Sequence, residues 1–338
     1  IEELETKQNY ALAGEKYLQY CSKHGESDRA LYEKALYNAA VNFDKSGQKI
    51  QSLRTDEMFI TRFPKSPFAP EIALRLAKNY ELVADHHSAR RAYESFALNH
   101  PSHAQAINSL RMAALHAQAE NDFSQSENIL KSGLKLFPAH KEMLKDDLSG
   151  LYEFWGAGKE RYVKFLEEEI ADRKLSADKR INYFSTLADL VTEKKNAPPT
   201  GLLAKALAAS KGNEATILKS RTGTNAFARL LFWNQVELES KFRDIKLTLP
   251  QKALEENFKK KLALLKTLET GYERVSGTGS PRWGLGAMYR TARLYYDLAD
   301  EISNAPVPGN LNADELASYQ GQLQQQFTLP FKEKAYLL

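Results

Sequence analysis

Small and aromatic positions recur along the first half of the chain at one spacing. Pro64, Pro101 and Pro138 fall 37 residues apart, preceded by Phe63, His100 and Phe137, and each stands just past a run of helical periodicity, where proline ends a helix. The same interval relates Ala40, Ala77 and Ala114, then Phe43, Tyr80 and Ala117, then Ser52, Ala89 and Ser126, then Asp56, Tyr93 and Leu130. A small, aromatic, small, large, proline order predicts two antiparallel helices per period, packed closely where the small side chains meet. The middle copy, from Glu71 to Pro101, is the clearest. An earlier half-unit is legible in Tyr10, Ala13, Tyr17 and Tyr20, read as the second helix of a truncated repeat. Ser27 or Asp28, and Ser102, are the expected helix starts.

This order is that of the tetratricopeptide unit. The period exceeds the usual 34 residues of that unit, so the extra residues are expected in the turns Phe63-Pro64-Lys65-Ser66-Pro67 and His100-Pro101-Ser102-His103-Ala104. The phrase aromatic-Pro-x-Ser-x-x-Ala resembles the tetratricopeptide proteins of Gram-negative cell envelopes, over roughly residues 10 to 140. The resemblance implies an all-α, right-handed solenoid of antiparallel helix pairs and a location in the periplasm or at the outer membrane.

Past Pro138 the period fades. Leu151 and Ala188 still keep the phase of Ala114, and Phe154 and Val191 that of Ala117. Three segments follow from this: a repeat array over 1–140, degenerate repeats over 141–195, and a C-terminal helical region over 196–338 that continues the solenoid with longer, less regular helices. The break lies at Asn196-Ala197-Pro198-Pro199-Thr200-Gly201. Long helices are predicted over 214–241 and 251–275, the second with Phe258, Leu262, Leu265, Leu268 and Tyr272 in one stripe. Trp283, Ala287, Leu294, Tyr295, Leu298 and Ile302 mark another helix, and a last one is expected over 313–326. The ending, with Met288-Tyr289-Arg290, Ala305-Pro306-Val307-Pro308 and Pro330-Phe331-Lys332-Glu333-Lys334-Ala335, is similar to the C-terminal block of envelope and gliding-associated repeat proteins in myxobacteria and predatory relatives.

Charge narrows the partners. Forty-seven Lys and Arg against forty-three Asp and Glu give +4, with both signs interspersed, which is too weak a bias for nucleic acid. No stretch reaches the roughly 18 apolar residues of a membrane span. The start at Ile1, without Met, leaves room for an export signal or lipid anchor upstream. The single cysteine, Cys21, excludes an internal disulfide and a cysteine zinc site, and is expected to pack rather than react.

Motifs that suggest chemistry fail on spacing. Gly156-Ala157-Gly158-Lys159-Glu160 would need its first phosphate-loop glycine at Glu153 and a hydroxyl at Glu160, so it reads as a turn between helices. Gly277-Thr278-Gly279 lacks a third glycine at Arg282 and follows no strand. His86, His87, His100 and His103 lie near turns without an HExxH helix or a carboxylate pair, so they read as solvated rather than metal-binding. Glu167-Glu168-Glu169 and Lys259-Lys260-Lys261 read as solvated faces. No cofactor and no catalytic residue are predicted.

What remains is a surface. In the arrays the repeat resembles, the inner face is lined by the first helix of each unit. That face here comprises Lys34, Tyr37, Val41 and Asp44, then Glu71, Leu74, Lys78 and Glu81, then Asn108, Arg111, Leu115 and Gln118. The mixture of charge and apolar groups suits an extended peptide or a partner helix. Tyr37 and Val41 replace two residues of the Lys and Asn pattern by which chaperone-binding relatives clamp a terminal carboxylate, which disfavours that partner. The expected function is a non-catalytic protein-interaction scaffold in a cell-envelope machine. Its rivals are a cytoplasmic regulatory adaptor of the same fold and an enzyme in the C-terminal half, which would need paired carboxylates about 5 to 9 Å apart.

Overall fold

A computed structural model describes residues 1–25, 27–192, 198–307, 309 and 311–338. Asn196 and Ala197 of the predicted break, the boundary drawn at 195/196, and Pro308 lie outside the described residues. Among the described residues there is no strand, and the fold is all-α with helices packed on their sequence neighbours. The chain divides into two compact units, Ile1–Lys159 and Glu160–Leu338.

The first unit is a file of helix pairs. After the short α1 (Glu2–Thr6) come α2 (Tyr10–His24), α3 (Arg29–Lys45), α4 (Lys49–Arg62), α5 (Ala69–Leu82), α6 (His86–Asn99), α7 (Ala106–Ala119), α8 (Phe123–Leu136) and α9 (Lys141–Phe154). Three-residue turns join α3 to α4, α5 to α6 and α7 to α8, and all three close in the same way. Gly47, Ala84 and Asn121 adopt φ of 75°, 58° and 59°. The next amide then reaches back to the carbonyl five residues earlier: Gln48 to Phe43, Asp85 to Tyr80, Asp122 to Ala117, at 3.0, 3.0 and 2.9 Å. This left-handed closure satisfies the last carbonyls of the first helix. Asp85 and Asp122 then cap the second helix by accepting from the Ser88 and Gln125 amides, a bond that contributes about 1 kcal/mol. The same closure, at Gln8 with Asn9 donating to Leu4, precedes α2, so the five-residue α1 stands where the end of a preceding first helix is expected.

The turns between pairs are six residues long, over 63–68 and 100–105, which is where the excess over a 34-residue unit was expected. Phe63, His100 and Phe137, each followed by proline, share one non-helical backbone conformation, with φ of −129°, −128° and −122° and ψ of 52°, 53° and 66°. Asp28 caps α3 as expected, whereas α7 begins at Ala106 and Ser102 stays in the turn. The periodic small residues Ala40, Ala77, Ala114, Ser52, Ala89 and Ser126 are all buried where helices touch. Phe59 and Ile72 share one core cluster and Phe96 is buried as well, each contributing about 1.5–3 kcal/mol. The period ends at Phe154, which is 79% exposed where Ala117 is buried.

From Ile181 to Ile302 the second unit is built around one continuous core. Its helices are α10 (Lys159–Ala171), α11 (Ala177–Val191), α12 (Thr200–Ser210), α13 (Glu214–Ile217), α14 (Arg221–Asp244), α15 (Gln251–Ser276), α16 (Pro281–Ser303), α17 (Ala313–Leu323) and α18 (Leu329–Leu337). The helix expected over 214–241 is broken, because Ser220 caps α14 through the Gly223 amide after a single turn of α13. The last predicted helix does not stop before Pro330. A π-helical turn, Gln324–Thr328, carries it into α18, whose first turn accommodates the proline.

Candidate interaction face

The twelve residues predicted on the first helices fall into four rows, one residue per repeat from α3, α5 and α7. Lys34, Glu71 and Asn108 are all exposed. Tyr37, Leu74 and Arg111 are half-buried, and Tyr37 and Arg111 link neighbouring repeats. The Tyr37 hydroxyl donates to Glu71 at 3.2 Å and its ring lies 4.5 Å from that of Phe68, while Arg111 grips Asp147 with two bonds of 2.6 and 2.9 Å. Burial, then the Glu71 carboxylate, pushes the pKa of the Tyr37 hydroxyl above its ordinary value. The third row holds the half-buried Val41 with Lys78 and Leu115, the last 54% exposed.

The fourth row turns inward. Asp44 accepts from Lys49 at 2.7 Å, Glu81 from Tyr93 at 2.6 Å, and Gln118 donates to Ser126 at 3.1 Å, each bond joining the two helices of one repeat. Burial pushes the Asp44 carboxyl up, but the Lys49 hydrogen bond and charge outweigh it and leave it below its ordinary value. Burial and Glu81 push the Tyr93 hydroxyl well up. These three side chains tie together the two helices of each repeat, so the candidate face narrows to the first three rows.

Residues outside the predicted set extend the face. A cavity of about 620 Å³ is lined by Glu2, Glu3, Tyr17, Tyr20, Leu31 and Lys34. Tyr17 and Tyr20 sit three apart on α2, a spacing that reads as simple packing, and nothing in sequence signals their meeting with Lys34.

Other predicted features resolve individually. Cys21 is buried, its thiol pushed up to about 11 by burial. Gly156–Gly158 forms a 3-10 turn, and Gly277–Gly279 a turn with Gly279 at φ 80°. His86 and His87 are exposed, but His86 Nδ1 lies 3.0 Å from Nδ1 of the buried His116, and burial holds the pKa of His116 below its ordinary value. Among the described residues no three potential ligands cluster. The lysine and glutamate runs are not uniformly solvated, since each turns one member of three inward. Lys261 is 2% exposed, paired with Glu301 and 4.7 Å from the Phe242 ring, and Glu169 is buried as well.

No protein-family model matches the chain, and no curated protein matches it. Among solved structures, a circular tandem repeat protein with novel repeat topology and enhanced subunit contact surfaces is similar at 14% identity and a TM-score of 0.19, over 99% of this chain and 75% of that one. A score that low carries no argument about geometry. The assignment rests on the stacked pairs and their recurring turns, and these make the chain a helical-repeat protein.

Proposed function

We propose that this chain is a non-catalytic scaffold of the tetratricopeptide type, which holds a protein or peptide partner along the face formed by α3, α5 and α7. The observation that carries the reading is the division of that face. One row of every repeat is consumed in bracing, while Lys34, Glu71, Lys78, Asn108 and Leu115 stay exposed at repeating positions, an alternation of charge and apolar surface that suits an extended segment. A cell-envelope location is part of the proposal and is supported by the inter-repeat phrase from Phe63 to Ala69; fractionation of cells producing the protein tests it, and recovery in the cytosol alone would remove it.

The face is tested by cross-linking and affinity capture with Lys34→Glu, Lys78→Glu and Leu115→Asp, all at exposed positions that leave the repeat core intact. Loss of a captured partner from each variant is the expected result. Unchanged recovery of every partner from the triple variant would eliminate this face as the binding surface.

A further inference from the structure

The turn between α4 and α5 carries a charge arrangement that the repeat does not require. A pocket of about 540 Å³ opens between the first turn of α3 and the end of α4, lined among others by Arg29, Glu33, Arg62, Phe63, Lys65 and Pro67. Its two arginines are held by rings. Arg62 lies over Tyr32 and Arg29 over Phe63, each 5.4 Å from the ring centre, and the two rings meet edge to face at 5.6 Å. Arg29 also donates to the Arg62 carbonyl at 3.3 Å. Both rings are buried, so the guanidinium groups are fixed on a rigid support with much of their donor capacity unused.

Among the described residues no carboxylate lies within ion-pair distance of Arg29, Arg62 or Lys65, whereas Arg75, Arg90 and Arg111 in the same unit meet Asp56, Glu120 and Asp147. The repeat supplies an internal control. The positions of Arg62 and Lys65 are held by Asn99 and Ser102 in the next copy, whose turn has the same six-residue length, and by Leu136 and Ala139 in the one after. Turn formation therefore does not account for the cations. Three fixed or adjacent positive groups against one acid, Glu33, leave the lining short of negative charge. Paired donors on planar guanidinium groups match carboxylate oxygens, and the pocket has room for more than a bare ion.

We propose that this pocket binds an acidic peptide segment, with carboxylates received by Arg29 and Arg62 and further negative charge met by Lys65. Glu33 disfavours a dense polyanion, and the buried rings offer no face on which a base can stack, so the arrangement favours an acidic polypeptide over nucleic acid.

The test is fluorescence anisotropy of a fluorescein-labelled hexapeptide of alternating Asp and Glu, titrated with the whole chain at low ionic strength, beside its Asn/Gln counterpart. The acidic probe is expected to bind and the neutral one not. R29Q and R62Q should each weaken binding about tenfold or more, the loss typical of a charged hydrogen bond. E33Q should tighten it a few-fold, and added salt should weaken it. Lys135→Gln with Lys141→Gln, exposed on α8 and α9, should leave it unchanged. Circular dichroism checks that each variant folds, and K65Q, in the exposed turn, reports on the site even if an arginine variant does not. The proposal is overturned if the two peptides bind alike, or if R29Q, R62Q and K65Q all match the parent. It is also overturned if inorganic phosphate or a thymidine oligonucleotide displaces the peptide and depends more strongly on the same residues.

Discussion

The two units solve the burial of helix faces differently. In the first, the same device recurs: a left-handed turn residue, followed in two of the three turns by an aspartate cap, a small residue at the crossing and a bond from one pair to the next. Each pair leans on its neighbours, so stability is distributed along the file. In the second, α11, α14, α15 and α16 share one continuous core, and charged groups are drawn inside it. Glu239, 3% exposed, accepts from Tyr272 of α15 and from Arg290 of α16 at 2.9 Å, and Lys261 is sealed against Phe242 with Glu301 as partner. A local lesion in the first unit should therefore stay local, while a lesion at a buried charge of the second should be felt across its whole core.

The largest effect that tests this contrast is expected from Glu301→Ala. It leaves the buried Lys261 ammonium without its partner, and breaking such a pair costs about 3–5 kcal/mol. Denaturant unfolding should show the loss, and hydrogen exchange should rise in α14, α15 and α16 together while α3 to α8 keep their protection. Lys261→Met removes the charge that needs a partner and should stay within about 1 kcal/mol of the parent, because Glu301 retains access to water. Equal losses from both substitutions would mean that packing of the lysine stem, not its charge, holds the helices.

The same contrast explains what was legible in sequence. The first unit announces itself because its constraints recur: Pro64, Pro101 and Pro138 with Ala40, Ala77 and Ala114 fix the register before any coordinate is known. Nothing recurs around Lys261 or Glu239, so a lysine run reads as solvated although one member is buried by long-range packing. The structural roles of the residues on the candidate face were not legible. Asp44, Glu81 and Gln118 differ in type, and only the structure brings Lys49, Tyr93 and Ser126 within reach of them.

Buried charge also occurs in the first unit, at Asp56, Glu127 and Lys145. Asp56 occupies the position of Tyr93 and Leu130, has no exposed surface, and is held by two Arg75 bonds of 3.2 and 2.6 Å. Burial pushes its carboxyl up to about 6, with Arg75 opposing the shift. A folded-state value above the unfolded one of about 3.9 means that the folded protein binds the extra proton, so this contribution is fully present below pH about 4 and is lost as pH rises through about 6. The slope is at most one proton, about 1.4 kcal/mol per pH unit. Asp56→Asn should flatten it in denaturation midpoints measured across that range; an unchanged slope would assign the pH dependence to other groups.

The smallest effect bears on the device that repeats. Gly47 adopts its left-handed conformation without cost, whereas Ala84 and Asn121 hold the same conformation with a side chain. A β-carbon there meets the following carbonyl, a cost of roughly 1–2 kcal/mol for an ordinary residue and less for asparagine. Ala84→Gly relieves that strain but frees the unfolded chain, which returns part of the gain. The net expectation is a stabilisation of about 0.5–1 kcal/mol for Ala84→Gly and a smaller one for Asn121→Gly, read from unfolding midpoints. Gly47→Ala should move the midpoint the opposite way, because no atom lies within 4 Å of its added β-carbon and only the backbone conformation opposes it. If all three substitutions shift stability in one direction, the turns are not equivalent, and the repeat is periodic in sequence without being periodic in energy.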